Sequence, residues 1–178
     1  MTSASLANRG RLGGGLLMLL GIWGALVPFV GPYFGYAYTP DKAWAYTSGR
    51  LWLSVVPGAA VFVGGLFVTF SDRAAAAGAF LAALGGTWFV IGQPVAAFAI
   101  PSGSIKPGSP VISHAAEFGA ATMRFLEGLG FFYGLGVVML FFAALALGEI
   151  VVARMAAERY RTWNAQATES IEEYGPAY

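Results

Sequence analysis

Residues 51 to 100 contain two long apolar runs that are separated by only three polar residues. The first run, Leu51–Phe70, is twenty residues long, and the second extends from Ala74 to Ile100, with Ser71-Asp72-Arg73 between them. An α-helix rises ~1.5 Å per residue, so each run is long enough to cross ~30 Å of hydrocarbon. Three polar residues leave room only for a tight reversal. The sequence therefore predicts a transmembrane helical hairpin at the centre of the chain.

Two further apolar runs flank this hairpin, from about residue 12 to 34 and from about residue 125 to 148. A basic start before an apolar run is also typical of a signal peptide, but the first run is longer than a usual h-region and no small-x-small site ends it. We therefore expect a retained span. The predicted fold is an all-α integral membrane protein within residues 1–149, a four-transmembrane-helix bundle of two tandem helical hairpins with spans at about 12–34, 51–70, 74–98 and 125–148.

Composition supports the membrane interpretation and excludes several kinds of site. Hydrophobic residues make up 57% of the chain and charged residues 11%, against ~25% charged in soluble domains. The net charge of +1 gives no basic surface for nucleic acid. The absence of cysteine excludes disulfides and thiolate chemistry, and a single histidine excludes an all-imidazole metal site within one chain. We expect no cofactor and no metal.

The last thirty residues are expected to leave the membrane. Residues 150–178 are predicted to form a cytoplasmic C-terminal helix extension, amphipathic and followed by an acidic tail. In a helix, one face would carry Val152, Ala156, Tyr160 and Trp163. The final segment ATESIEEYGPAY is short and acidic, and we expect it to be disordered.

Basic residues favour one orientation in the cell (inner or plasma) membrane. Four spans place both termini on the same side, and positively charged residues concentrate on the cytoplasmic side of membrane proteins. With cytoplasmic termini, six arginines lie inside, namely Arg9, Arg11, Arg73, Arg154, Arg159 and Arg161. The two outer loops then contain four basic residues, namely Lys42, Arg50, Lys106 and Arg124.

The two halves of the chain resemble each other at an offset of 65 residues. Gly13, Leu16, Leu19, Gly21 and Trp23 fall on Gly78, Leu81, Leu84, Gly86 and Trp88. A duplication would relate the halves by an axis along the membrane normal and make Arg50 and Arg124 equivalent near the outer surface. Composition alone is the other explanation, because spans rich in Gly, Leu and Trp resemble one another.

Small residues recur at four-residue spacing in two predicted spans. Gly78, Ala82 and Gly86 form one such stripe in the third span, and Gly130 and Gly134 form another in the fourth. Small residues at this spacing let helix backbones approach closely in lipid. We expect these five positions to pack against neighbouring helices.

Few polar side chains in or near the spans suggest a site. Glu127 lies one turn inside the fourth span and three residues after Arg124. It either forms a local ion pair with Arg124 or serves as an outer-side binding group with Arg50 or Arg124.

Gln93 and His114 are the other polar positions that we single out. Gln93 beside Pro94 either lines a polar break or makes a hydrogen bond to a neighbouring helix. His114, with Glu117 one turn later, senses pH or joins a metal site at an oligomer interface, or is simply a solvated loop histidine.

The sequence contains no catalytic signature that we recognise, such as HExxH or a phosphate-binding loop. We therefore expect a non-catalytic integral membrane subunit, a scaffold or accessory chain of a larger membrane complex, for example a respiratory one. Its partners would be the lipid bilayer and other membrane protein subunits or further copies of itself. The main alternative is a small homo-oligomeric transporter or channel for a neutral or apolar solute, with Ser54, Thr87, Gln93 and Glu127 around one wet cavity. A third is a lipid-acting enzyme that uses Glu127, His114 and the arginines.

Overall fold

The computed structural model describes residues 3–34, 37–38, 42–99, 110–111, 126 and 128–175. Four long helices dominate these residues: α1 (Ser3–Val30), α2 (Ser48–Phe70), α3 (Ala75–Ala99) and α4 (Gly134–Tyr174). A 3₁₀ turn at Gly31–Phe34 follows α1, and a π-helical segment at Leu129–Tyr133 precedes α4. Two short strands complete the description, β1 (Ala37–Tyr38) and β2 (Pro110–Val111).

Each of the four helices is long and apolar enough to cross a membrane. The segments that meet this condition are Leu12–Tyr33, Ser48–Phe70, Ala75–Ala96 and Gly134–Ser170. The predicted four apolar helices are therefore confirmed. They correspond to the four apolar runs. The main-chain N–H and C=O groups of such a run have no water to bind in an apolar environment, and a helix pairs them with one another.

Glycine brings α1 and α2 into close antiparallel contact at two levels one heptad apart. A Cβ atom built on Gly65 would lie 2.7 Å from the carbonyl oxygen of Gly14, and one built on Gly58 would lie 2.8 Å from that of Gly21. Since real side chains are not found at such distances, only glycine permits this approach. The main chains of the two helices are thus in direct contact.

The same kind of contact joins α2 to α3 and α3 to α4. A Cβ on Gly78 would lie 2.6 Å from the carbonyl oxygen of Gly64. A Cβ on Gly136 would lie 2.7 Å from the carbonyl oxygen of Gly86. Helix α4 also packs against α1, and Phe89 and Met139 meet Gly24 there. Each helix therefore contacts two others along its length.

Apolar side chains fill the space between the helices. The main cluster of buried residues takes side chains from all four helices: Leu17, Val27, Leu53, Val61, Ala82, Phe89, Ala96, Phe132, Leu135, Met139 and Ala143. A smaller cluster of Val68, Ala79 and Ala146 lies toward the α2–α3 turn, with Ile150 packed against it.

A π-helical segment at Leu51–Val55 follows the first turn of α2, just before Pro57. Within it the N–H of Val56 donates to the carbonyl of Leu51, five residues back. Proline has no N–H, and its ring clashes with the carbonyl four residues back, so a wider turn is favoured ahead of Pro57. The indole N–H of Trp88 on α3 donates to the carbonyl of Trp52 at 3.0 Å. A neighbouring helix thereby supplies the donor that Pro57 lacks.

The second π-helical segment, Leu129–Tyr133, depends on glycine instead of proline. The N–H of Gly134 donates to the carbonyl of Leu129. A Cβ on Gly134 would lie 2.5 Å from that same oxygen, so a side chain would force the turn apart. A π-helical segment of five residues therefore lies near the start of α2 and another lies directly before α4.

The strand pair connects the segment after α1 with the segment after α3. Ala37 is opposite Val111 and Tyr38 is opposite Pro110 in an antiparallel arrangement. The sequence analysis did not predict this pair, because two residues show no alternation of apolar and polar side chains.

Helix α4 is unbroken for 41 residues and ends at Tyr174. The expectation of a disordered ATESIEEYGPAY segment is therefore wrong up to that residue. The helix continues because the segment begins directly on a formed helix and needs no new nucleus. The hydroxyls of Thr168 and Ser170 also donate to the carbonyls of Asn164 and Ala167, so these side chains do not compete with the helical main chain.

Candidate functional site

Arg50 is the most deeply buried charged side chain among the described residues, with 1% of its surface exposed. It lies at the start of α2, where the hydroxyl of Thr47 accepts a hydrogen bond of 3.1 Å from the Arg50 main-chain N–H. This side-chain acceptor satisfies one of the N–H groups that the first turn of a helix leaves without an internal partner. Thr47 thus helps to fix the start of α2 and with it the position of Arg50.

The guanidinium of Arg50 holds the preceding loop against the end of α1. Its Nη1 atom donates to the carbonyl oxygens of Lys42 and Ala45 at 3.1 and 3.0 Å. Its Cζ atom lies 5.8 Å from the centre of the Phe29 ring, within the range of a cation–π interaction. Phe29 is in the last turn of α1, so this contact joins Arg50 to the end of that helix.

The guanidinium contacts the Phe29 ring, and two further aromatic rings pack on Phe29. We call Phe29, Trp44, Tyr46 and Arg50 the Arg50 cluster. The Phe29 ring lies 6.0 Å from that of Trp44 and 5.3 Å from that of Tyr46, centre to centre. The main-chain N–H of Trp44 donates to the carbonyl of Phe29 at 3.4 Å. Trp44 adopts a φ of 56°, which is strained for a bulky residue, so the surrounding contacts hold it in place.

The Arg50 cluster orders the loop between α1 and α2 and presents aromatic side chains at its surface. Trp44 and Tyr46 are 52% and 82% exposed. Their rings suit the headgroup level of a bilayer, where one end of a side chain is apolar and the other is wet. The guanidinium itself is turned toward main-chain carbonyls, which gives it a role in positioning the loop.

The remaining polar positions from the sequence analysis fall in different places. Gln93 is half-buried on α3, which continues through Pro94 to Ala99. Ser54 is buried in the first π-helical segment. The hydroxyl of Thr87 donates to the carbonyl of Ala83 in its own helix at 2.8 Å. His114, Arg124 and Glu127 lie outside the described residues, so the site predicted around them stays a prediction.

The five predicted packing positions also have different surroundings. Gly78 and Ala82 face Gly64 of α2, whereas Gly86 faces Gly136 of α4. Gly130 is exposed, and Gly134 contacts the Leu129 carbonyl within its own π-helical segment.

Several close glycines were not singled out from the sequence, namely Gly14, Gly21, Gly58, Gly65 and Gly136. A spacing of seven in α1 and again in α2 was the available signal for the first four. Gly136 has no small residue four positions earlier, so the four-residue pattern did not include it.

A second surface feature lies on the part of α4 that extends beyond the other helices. Ile150 is the last residue packed against the apolar cluster near the α2–α3 turn, and residues 151–166 are all exposed. One face of this part is apolar and open to the surroundings, and it includes Val152, Met155, Ala156, Tyr160 and Trp163, with Arg159 among them.

Within the described part of the chain, no group of three His, Asp or Glu side chains is placed to hold a metal ion. Comparison with known proteins adds no assignment: no protein-family model, no curated protein and no solved structure matches the chain.

Proposed function

We propose that the protein is a non-catalytic integral membrane subunit, a scaffold or accessory chain of a larger membrane complex. The observation that carries this proposal is the apolar cluster between the helices, to which side chains from all four contribute. Subunits that transport solutes line their path with polar groups or with a wet cavity. An interior filled by packed apolar side chains suits a structural role.

The chemistry around Arg50 also favours a structural role. Burying a guanidinium costs free energy unless it is hydrogen-bonded. Here it donates to two main-chain carbonyls and lies against an aromatic ring. These interactions stabilise the fold at the point where α1 and α2 are joined. They do not require a substrate to explain the burial of the charge.

In this proposal the four helices form a transmembrane bundle of two tandem hairpins in the cell membrane. The N-terminus and the extension of α4 face the cytoplasm, in accord with the distribution of arginine. The Arg50 cluster then lies at the outer surface. The exposed apolar faces of the helices contact lipid and neighbouring subunits.

The test is purification of the tagged full chain from its native membranes in a mild detergent, followed by mass spectrometry of the bound polypeptides. We expect larger membrane proteins in stoichiometric amounts. Recovery of the chain alone as a defined homo-oligomer would contradict the proposal and favour the transporter alternative.

Three open glycines provide matched variants for this experiment. Nothing described in the protein lies within 4 Å of a Cβ built on Gly13, Gly15 or Gly148, so a side chain at these positions starts in open space; thermal stability of each leucine variant checks that the helix contacts are kept. A variant that loses the bound polypeptides without losing thermal stability identifies the helix face that a partner contacts. The variants that retain them are the controls.

A further inference from the structure

The two helical hairpins of the protein, α1 with α2 and α3 with α4, are packed at the same positions. A Cβ atom built on Gly21 would lie 2.7 Å from the carbonyl oxygen of Gly58. One built on Gly86 would lie 3.1 Å from the carbonyl oxygen of Gly136. In both hairpins this Cβ would also meet the main-chain nitrogen four residues after the second glycine. A contact in the first hairpin therefore has its counterpart in the second.

These contacts define how the residues of the two hairpins correspond. Helix α1 matches α3 at an offset of 65 residues, which is also the offset of the sequence resemblance. Helix α2 matches α4 at an offset of 78, and the same 78 residues separate the π-helical segments Leu51–Val55 and Leu129–Tyr133. A shared composition does not place π-helical segments and helix contacts in one register, so it does not account for the resemblance. In this register Arg50 matches Gly128 and not Arg124.

Burial of the side chains follows the same correspondence. The matched residues of each pair are equally buried where they face the centre of the bundle. These pairs are Leu17 and Ala82, both 0% exposed, Val61 and Met139, both 0%, and Ser54 and Phe132, both 3%.

Gly24 and Phe89 locate the relation between the two hairpins. The offset of 65 makes these residues equivalent, and the Cζ atom of Phe89 lies 2.7 Å from a Cβ built on Gly24. In a two-fold arrangement, a residue contacts its own equivalent only where the axis passes between them. The ring of one hairpin thus occupies the space that glycine leaves in the other.

We infer that the chain is a fused dimer of one helical hairpin, whose halves pair about a two-fold axis between residues 24 and 89 and have diverged to fit each other. Two first hairpins would place Gly24 against Gly24 and leave a void. Two second hairpins would place Phe89 against Phe89 and overlap. Gly24 and Phe89 therefore favour pairing of unlike halves over pairing of like ones. This inference does not depend on the proposed accessory role.

Exchange of the two axial residues tests the proposal in the full chain. Gly24→Phe alone overpacks the axis and Phe89→Gly alone empties it, so each should lower the melting temperature in detergent by about 5–10 °C. The double variant should return to within about 3 °C of the wild type, because the ring then reaches the same space from the other hairpin. If the losses of the single variants simply add, no two-fold axis lies between these residues and the proposal is overturned.

Met139 provides the matched control exchange. Its Cε atom lies 3.1 Å from a Cβ built on Gly24, but residue 139 is equivalent to residue 61 and not to residue 24. The double variant Gly24→Met with Met139→Gly should therefore stay destabilised. Equal recovery in this control would show that side-chain volume alone matters, and would also overturn the proposal. Gly24→Val with Phe89→Ala repeats the exchange with smaller changes, so that the comparison holds if Gly24→Phe does not fold.

Discussion

The indole N–H of Trp88 and the main-chain carbonyl of Trp52 form a hydrogen bond of 3.0 Å between α3 and α2. The carbonyl is available because Pro57, five residues later, has no N–H to donate. A break in one helix is thus completed by a side chain from its neighbour, so the two helices are joined by a specific bond as well as by close packing.

We expect Trp88→Phe to lower the free energy of unfolding by about 1 kcal/mol, since it removes one hydrogen bond and keeps an aromatic ring. Thermal unfolding in detergent measures the change. Trp23→Phe on α1 is the control, because Trp23 is also half-exposed. In a Pro57→Ala background the loss should become smaller, since residue 57 then has an N–H of its own. An equal loss of stability in both backgrounds would show that the contribution of the Trp88–Trp52 hydrogen bond does not depend on the missing N–H of Pro57.

Replacement of Arg50 should release the loop that precedes α2. Arg50→Ala removes two hydrogen bonds from a charged donor and should cost about 2–3 kcal/mol. Arg50→Lys retains the charge but not the planar guanidinium that reaches both carbonyls, so it should restore only part of the stability. Limited trypsin digestion gives a local measurement, because the chain after Lys42 should be cut faster in both variants.

Arg73→Ala is the control for Arg50, since Arg73 is exposed in the turn between α2 and α3. It should leave both thermal stability and cleavage after Lys42 unchanged. If trypsin cleaves the Arg50→Ala variant after Lys42 at the wild-type rate, the guanidinium does not hold the loop in solution.

The contact between α2 and α3 should not tolerate a single methyl group. Gly64→Ala places a Cβ 2.8 Å from the main-chain nitrogen of Ala82, and overpacking of this kind costs about 1–3 kcal/mol. Gly13→Ala on α1 is the matched control, with nothing within 4 Å of the added atom. Its stability should be equal to the wild type or slightly higher, because alanine favours the helix. Differential scanning fluorimetry of the three proteins tests this difference.

The π-helical segment before α4 should depend on Gly134 in the same way. Gly134→Ala brings a Cβ to 2.5 Å from the Leu129 carbonyl oxygen, so the turn must open or shift. We expect a loss of about 1–2 kcal/mol and faster amide exchange at Gly134 and its neighbours. Gly148→Ala, later in the same helix and open on its outer side, should change neither measurement.

The long apolar runs were sufficient to predict the four helices, because length and hydropathy alone decide whether a helix can cross a bilayer. The surroundings of Arg50 could not be predicted in this way. The sequence analysis considered it as a binding group at the outer surface, whereas its described contacts are main-chain carbonyls of its own loop. Main-chain acceptors are present at every residue, so no pattern of side chains shows where they will gather.

The two π-helical segments were also beyond the sequence pattern. A proline inside a helix favours a distortion, but the form of the distortion ahead of Pro57 depends on a donor from α3, Trp88, which lies thirty-six residues after its acceptor Trp52. The continuation of α4 through an acidic segment was missed for a different reason. Composition describes how a segment behaves alone, and this one is attached to a helix that is already formed.

The unbroken length of α4 has a mechanical consequence. A helix that passes from the apolar layer into water without a hinge acts as a lever, whose short arm is held by α1 and α3 and whose long arm is free. A tilt of about 10° at the level of Ile150 moves the tip by about 6 Å over an arm of ~36 Å. In the proposed membrane arrangement, a tilt caused by a change in bilayer thickness or in the packing around Met139 would therefore displace Tyr174 further than Ile150.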